Sequence, residues 1–211
     1  MRGTDTGRRI MTEALRLFAR DGYEAVSVGS IAAAVGIRAP SLYKHYRSKR
    51  DIFASILREM ERRDAENAER FSLPTQTKEA APGTYEGISA QAVTAFCEQM
   101  FRYWTQDEFA AAFRRMLTVE QYRSEEMSHL TTYFQYGNLL DLYSNIFRKL
   151  IDRGVMLPGD PELLGLEYIA PTALLIQVCD REPEKLAEVL DKSEKLIDLF
   201  IEKNFVPTEE Q

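Results

Sequence analysis

Residues 27–53, SVGSIAAAVGIRAPSLYKHYRSKRDIF, constrain the fold more than any other stretch of this chain. Ser27 suits the N-cap of a short helix, because its hydroxyl can accept a free backbone N–H at a helix start. Gly36 lies where the chain must leave that helix, most easily in the left-handed conformation that glycine adopts. Pro40 then falls in the first turn of a second helix, where its missing N–H costs nothing. This order predicts a helix-turn-helix, whose second helix enters the major groove of DNA.

The second helix and the residues after it are rich in hydrogen-bond donors. We predict phosphate contacts for Tyr43, His45 and Lys49, because hydroxyls, amines and helix N-termini bind phosphate oxygens. Contacts near base edges are expected from Arg38, Ala39, Pro40, Ser41 and Lys44. Together with Ser27, these residues form the predicted DNA-binding surface.

The charge distribution agrees with this interpretation. Residues 1–50 contain ten Lys and Arg and four Asp and Glu, a net charge of +6 within a chain whose total is −6. A protein that binds nucleic acid needs positive charge where it meets phosphates, whereas the rest of its surface can be acidic. The basic segment coincides with the predicted helix-turn-helix, so two independent signals point to the same surface.

The order GYEAVSVGSIAAAVGIRAPSLYKHYRSKRDIF resembles the signature of the tetracycline-repressor (TetR) family of bacterial regulators, which includes AcrR-like proteins. The matching residues are Gly22-Tyr23, Ile31-Ala32 with Gly36-Ile37, and Ser41-Leu42-Tyr43-x-His45-Tyr46-x-x-Lys49, within about residues 5–55. The resemblance implies a repressor that binds a palindromic operator as a homodimer and is released by a small-molecule effector. An activator, or an interaction module of the same fold without an effector, remains an alternative.

Helical periodicity runs through the rest of the chain, and no stretch alternates with period two. We therefore predict an all-α protein of about nine or ten helices, with a three-helix DNA-binding domain at residues 1–50. A larger helical domain for effector binding and dimerisation is expected at residues 51–211. The prolines and glycines of residues 72–87 predict a loop. Thr105 with Glu108 has the spacing of a capping box, which predicts a helix start there.

The middle of the chain is rich in aromatic residues and methionine. Such residues at helical spacing usually form a core, but the number of tyrosines is high, since every buried hydroxyl needs a partner. An apolar cavity with a few polar groups is typical of a small-molecule site, so the expected effector is largely apolar or aromatic. The predicted lining residues are Phe96, Met100, Trp104, Met116, Tyr122, Tyr133, Phe134 and Tyr136.

The last two predicted helices are apolar on more than one face, which suggests burial against a partner. In the resembling family these helices form the dimer interface, so both lines of reasoning predict a homodimer. The predicted interface residues are Leu166, Ile169, Ala170, Leu174, Val178, Val189, Leu196 and Phe200.

Other function classes find little support. The sequence contains no HExxH, no GxSxG and no Gly-rich phosphate loop, so we do not expect an enzyme, a metal site or a cofactor. The two cysteines, Cys97 and Cys179, lie in apolar surroundings and form no CxxC, so a redox sensor is a weaker alternative. We find neither a signal-peptide segment nor an apolar run long enough to cross a bilayer, and expect a cytoplasmic protein without a membrane partner.

Overall fold

The computed structural model describes residues 2–70 and 90–207, and the predicted loop at 72–87 lies outside these ranges. The helices are α1 (Arg2–Asp21), α2 (Val28–Val35), α3 (Ala39–Leu42), α4 (Lys49–Arg70), α5 (Ala90–Gln106), α6 (Glu108–Glu120), α7 (Glu125–Thr132), α8 (Asn138–Asp152), α9 (Pro161–Arg181) and α10 (Leu186–Asn204). A π-helical turn, Tyr133–Gly137, precedes α8, and a 3-10 turn, Pro183–Lys185, precedes α10. The predicted all-α fold is confirmed for the described ranges, where one isolated bridge joins Met156 and Phe205.

Packing divides the chain into two units. Unit 1 comprises Met1–Ala68 and Asp107–Thr132, and unit 2 comprises Glu69–Gln106 and Tyr133–Gln211. This division differs from the predicted boundary after residue 50, because α4 runs on unbroken past that residue and α6 packs against α1. The functional division into residues 1–50 and 51–211 stays a prediction.

Unit 1 is built on α1, which packs against both α2 and α6. Its large, fully buried side chains include Ile10, Phe18, Ile31, Leu42, Ile52, Ile56 and Phe113. Asp107 caps the start of α6, since its side chain accepts the N–H of Ala110 at 2.9 Å. Arg63 of α4 lies 3.2 Å from the same carboxylate and 4.4 Å from the Phe109 ring centroid. The start of α6 is therefore held to α4 by both charge and aromatic contact.

The predicted capping box at Thr105 and Glu108 is wrong. The hydroxyl of Thr105 donates to the carbonyl of Phe101 at 2.8 Å, within α5. Asp107 is the N-cap of α6, two residues later than the sequence pattern predicts. A threonine inside a helix commonly bonds to a carbonyl of the preceding turn, and such a residue cannot also cap the next helix.

Unit 2 has its core between α5, α8, α9 and α10, with the most extensive packing between α8 and α9. Four buried aromatic rings meet there: Tyr143 lies 4.6 Å from Tyr168, and Phe147 lies 5.2 Å from Phe200, between centroids. Aromatic pairs at these separations stabilise a core beyond the area that they bury.

Helix α9 is long and apolar enough, by length and composition, to be a candidate membrane span. Pro171, Thr172 and Gln177 interrupt its apolar run, so the sequence pattern does not predict a membrane span there. Within unit 2 the helix packs against α5, α8 and α10, as a core helix does. However, only 28% of its most apolar window is buried. Much of the apolar surface of α9 is therefore exposed in the single chain.

Candidate nucleic-acid interface

The predicted turn between α2 and α3 is present in detail. The Ser27 hydroxyl accepts the N–H of Ser30 at 3.0 Å, and the Ser30 hydroxyl accepts the N–H of Ser27 at 3.0 Å. Gly36 has a φ of +76°, and the N–H of the following Ile37 bonds to the carbonyl of Ala32 at 2.9 Å. These bonds satisfy free backbone groups at both ends of α2. Ser27 is thus a helix cap, and its predicted DNA contact stays a prediction.

Helix α3 buries Leu42 and turns its polar residues outward. Arg38, Pro40, Tyr43 and Lys44 are exposed, whereas Ala39, Ser41 and His45 are partly buried. Within the described part of the chain, Arg38 and Lys44 form no ion pair. Two exposed and unneutralised cations beside a short helix are what contact with DNA phosphates and bases requires.

The turn between α3 and α4 is fastened to α1. The hydroxyl of Tyr46 donates to the carbonyl of Gly7 at 3.1 Å. Gly7 also faces His45, because a Cβ at Gly7 would lie 3.7 Å from Nδ1 of that histidine. His45 therefore packs along α1 while remaining partly exposed, and its predicted phosphate contact stays a prediction.

Lys49 has internal partners that the sequence did not predict. Its Nζ donates to the carbonyl of Tyr23 at 2.7 Å and to the carbonyl of Glu24 at 3.3 Å. The same atom lies 4.3 Å from the centroid of the Tyr23 ring, a cation–π contact. Only 22% of the side chain is exposed. The amine therefore points into the α1–α2 turn, an arrangement that does not favour the free phosphate ligand expected from the sequence.

Arg50, the residue after Lys49, also has a partner within the chain. Arg50 forms an ion pair with Glu126 of α7, and hydrogen bonding to this carboxylate raises the pKa of the guanidinium. Of the basic residues around α3, the ones left unpaired in the described ranges include Arg38 and Lys44. The positive surface is therefore narrower than the count of Lys and Arg implies.

The predicted effector-binding residues are divided between the two units. Phe96 and Met100 are buried in the core of unit 2, and Trp104 packs against that core. Phe134 is buried in the π-helical turn of unit 2, where Tyr133 and Tyr136 are exposed. Met116 and Tyr122 belong to unit 1. Tyr122 is 92% exposed in the single chain. A lining role for all eight residues stays a prediction.

A buried polar group in unit 2 was not among the predicted site residues. Tyr168, Tyr143 and Cys97 lie together in the apolar core of unit 2, where the rings of the two tyrosines are 4.6 Å apart between centroids. Burial raises the pKa of the Cys97 thiol to about 12. Because the thiolate is the reactive form of cysteine, this environment disfavours a redox role.

No group of three His, Cys, Asp or Glu side chains in the described ranges is placed to hold a metal.

Three of the predicted dimer residues are used inside the chain. Ile169, Val189 and Phe200 are buried against other helices of unit 2, and their predicted interface role stays a prediction. Leu174 is 60% exposed, Ala170 is also exposed, and Leu166, Val178 and Leu196 are partly buried. Leu163 and Leu199, which are not among the predicted interface residues, are exposed to a similar extent.

Comparisons with known proteins agree with this geometry. Residues 10–56 match the family model described as bacterial regulatory proteins, tetR family. The chain is 34% identical over 83 residues to the uncharacterised HTH-type transcriptional regulator YezE of Bacillus subtilis, covering 38% of this chain and 43% of YezE. It is 29% identical over 86 residues to the HTH-type transcriptional repressor ComR of Escherichia coli, covering 40% of this chain and 41% of ComR. The chain thus spans less than half the length of these curated relatives.

A solved structure extends the likeness in fold. The complex of SmeT with triclosan superimposes with a TM-score of 0.70 at 17% identity, covering 96% of this chain and 92% of that one. SmeT is the repressor of a multidrug efflux pump of Stenotrophomonas maltophilia. At this level of identity the superposition establishes a common fold.

Proposed function

Because the chain belongs to the tetR family of bacterial transcriptional regulators, we propose that it represses transcription by binding a palindromic operator as a homodimer, and that a small-molecule effector releases it. Its site of action would be the cytoplasm, where bacterial DNA lies. The relatives are named as transcriptional regulators, which agrees with a protein that is not an enzyme.

The observation that carries the DNA-binding part is the surface of α3. Leu42 anchors the helix in the core, while Arg38, Tyr43 and Lys44 face outward beside it. The helix is held from both sides, by the capped turn at Gly36 and by the Tyr46 bond to α1. A rigidly supported helix with exposed donors can present them to base edges in a fixed register.

Exposed apolar residues on α9 support the homodimer. At about 100° per residue, Leu163, Ala170 and Leu174 fall on one side of this helix. All three are exposed in the single chain. A row of exposed apolar side chains on a long helix is typical of a surface that a partner covers. A twofold dimer would place two copies of α3 at half-sites about 34–36 Å apart, which is why the expected operator is an inverted repeat.

The effector is proposed from the family, from the apolar and aromatic residues of unit 2, and from a structural neighbour that binds triclosan. Phe96, Met100 and Trp104 provide the apolar and aromatic surface that such a ligand needs. An effector can release DNA only if it binds the DNA-free conformation more tightly than the DNA-bound one. Operator affinity measured with and without triclosan tests this ligand directly, and unchanged affinity excludes it.

Selection of binding sites from a random DNA pool tests the DNA-binding proposal. We expect an enriched inverted repeat whose affinity falls steeply with salt, because phosphate contacts release counterions. Arg38→Ala should relax the preference at one position of each half-site and weaken binding about tenfold, the usual effect of losing a base contact. Arg148→Ala is the matched control, since it removes an exposed arginine of α8 in unit 2. Absence of any enriched sequence would contradict the proposal.

A further inference from the structure

Glu120, the last residue of α6, is a buried carboxylate that reaches the turn between α1 and α2. It is only 2% exposed, and its Oε1 accepts the backbone N–H of Tyr23 at 3.0 Å. Nε of Arg123 lies 3.4 Å from the same oxygen. A carboxylate this deeply buried is stable only when hydrogen bonds and opposite charge replace the water that it has lost.

Gly22 permits this approach. Its φ is +84°, and a Cβ built there would lie 2.9 Å from Oε1 of Glu120. A side chain at this position would therefore collide with the carboxylate as well as strain the backbone. Gly22 thus leaves room for a contact with α6, which lies almost one hundred residues further along the chain.

The opposite side of Tyr23 is held by α4. Its carbonyl accepts from Lys49 Nζ at 2.7 Å, and its ring lies beneath the same ammonium group. The ring also contacts Phe18 of α1 and Phe53 of α4, with centroids 5.1 and 5.3 Å away. Tyr23 therefore joins three helices: α6 through its N–H, α4 through its carbonyl, and α1 through its ring.

We propose that Glu120, Tyr23 and Lys49 form a clamp that positions α3, the recognition helix of the proposed helix-turn-helix, so that Glu120 and Lys49 determine operator specificity without touching DNA. This inference rests on the proposed DNA-binding function. Lys49 is the first residue of α4 and follows the end of α3 at Leu42 by seven residues. Fixing Lys49 against the α1–α2 turn therefore fixes one end of the short segment that carries α3.

Positioning affects specific and non-specific DNA binding differently. Contacts with base edges need the recognition helix in one orientation, whereas attraction to phosphates tolerates many. Loosening the clamp should therefore lower affinity for the selected operator and leave affinity for a scrambled duplex almost unchanged. A general loss of folding would instead lower both affinities together.

The test compares variants by their affinities for the selected operator and for a scrambled duplex of the same length. Glu120→Ala should weaken operator binding about tenfold, as expected when a buried N–H loses its acceptor, with little change on the scrambled duplex. Glu120→Gln keeps an acceptor for the N–H of Tyr23 and should retain most of the wild-type affinity for the operator. Glu108→Ala is the matched control, because this α6 carboxylate pairs with Arg16 at the surface and lies outside the clamp.

Lys49→Met supplies the second variant, because methionine keeps apolar contact with the Tyr23 ring and removes the donors. The clamp predicts reduced operator preference with an unchanged dependence of binding on salt. A phosphate contact at Lys49 predicts instead that the slope of log affinity against log salt becomes shallower by about 0.9. The second result would overturn the assignment of Lys49 to the clamp.

Combining Glu120→Ala with Lys49→Met tests whether the two residues act as one unit. Since both act through Tyr23, the double variant should lose little more operator preference than either single variant. Additive losses, or unchanged operator preference in both single variants, would overturn the proposal. If wild-type protein itself does not distinguish operator from scrambled duplex, the proposed function has failed rather than the clamp.

Discussion

Arg50, at the start of α4, donates two hydrogen bonds to the Glu126 carboxylate of α7, at 3.0 and 2.7 Å. The two residues are 76 positions apart in the sequence, and both belong to unit 1. A cation next to the recognition helix is thus neutralised by an acid from a helix outside the helix-turn-helix. This pairing reduces the positive charge that the DNA-binding surface presents.

Removing this acid should strengthen DNA binding. In Glu126→Gln the guanidinium of Arg50 becomes available to phosphates, so affinity should rise and the salt slope should steepen by up to about 0.9. Thermal stability should hardly change, because ion pairs between exposed side chains contribute little. Binding isotherms on the operator at several salt concentrations measure both effects.

Glu125→Gln separates this effect from the general loss of a negative charge. Glu125 is the neighbouring acid on α7, and its contact is with His129 at 3.9 Å. An equal gain in affinity for both variants would contradict a specific role of the Arg50 pair.

The exposed leucines of α9 make the proposed dimer testable. Leu174→Arg should shift the protein towards monomer, because a buried, unpaired charge is costly in an apolar interface. Sedimentation velocity over a range of concentrations measures the shift. Leu157→Arg places the same charge at an exposed leucine of the loop between α8 and α9, and this control should remain dimeric. A dimer that tolerates Leu174→Arg would exclude this face of α9 as the interface.

Asp64 of α4 makes stability depend on pH. Burial, with a smaller contribution from Glu61, raises its pKa from 3.8 to about 7. The Asp64 carboxyl therefore binds its proton more tightly in the folded state than in the unfolded state, and the protein loses stability as pH rises from about 4 to 7. A pKa difference of about three units corresponds to at most about 4 kcal/mol in the free energy of unfolding.

Asp64→Asn should therefore stabilise the protein at pH 8 and have a smaller effect at pH 5. Urea unfolding at the two pH values measures the difference. Glu59, whose pKa is lowered to about 2 by hydrogen bonds from Arg62 and Arg63, stays ionised across this range and does not disturb the comparison. A variant with the same gain at both pH values would show that Asp64 does not titrate between them.

Gly165 and Ser144 mark the close contact between α8 and α9. A Cβ at Gly165 would lie 3.0 Å from the Ser144 hydroxyl oxygen and 3.1 Å from Cδ1 of Leu140. Gly165→Ala should therefore lower the free energy of unfolding by about 1–3 kcal/mol, the usual cost of overpacking a core. Ser144 is buried, and its hydroxyl has no hydrogen-bond partner in the described ranges. Ser144→Ala should be neutral or stabilising, because it removes an unsatisfied polar group.

The double variant Ser144→Ala/Gly165→Ala provides the check. It should recover part of the stability that Gly165→Ala loses, since the nearer of the two colliding atoms is absent. Denaturant unfolding of the four proteins gives the coupling free energy. Exact additivity would indicate that Leu140, rather than Ser144, limits the space at Gly165.

Local signals explain what the sequence could predict. The cap at Ser27 and the turn at Gly36 are each decided by residues within a few positions of one another, and both are present. The contacts of Lys49 with Tyr23 and of Arg50 with Glu126 join residues 26 and 76 positions apart. No periodicity or motif reveals such pairs, because they depend on how helices pack. The sequence therefore predicted the helix-turn-helix and not the residues that hold it.

The proposed dimer surface shows a second limit to prediction from the sequence. Helix α9 has apolar residues around much of its circumference, so hydrophobicity alone could not decide which residues face the core. Packing against neighbouring helices buries Ile169 and leaves Leu163 and Leu174 exposed. Similarly, Val189 and Phe200 of α10 are buried in the core, and Leu199 remains exposed. Which part of an apolar helix becomes an interface is a property of the folded chain.

The mass of the protein–DNA complex tests the central claim most directly. Sedimentation or native mass spectrometry on the selected inverted repeat, beside a scrambled duplex of equal length, counts the chains bound. A homodimeric regulator predicts two 24.2 kDa chains on the inverted repeat and little binding to the scrambled duplex at the same salt. One chain on each duplex, with equal affinity for both, would contradict the account.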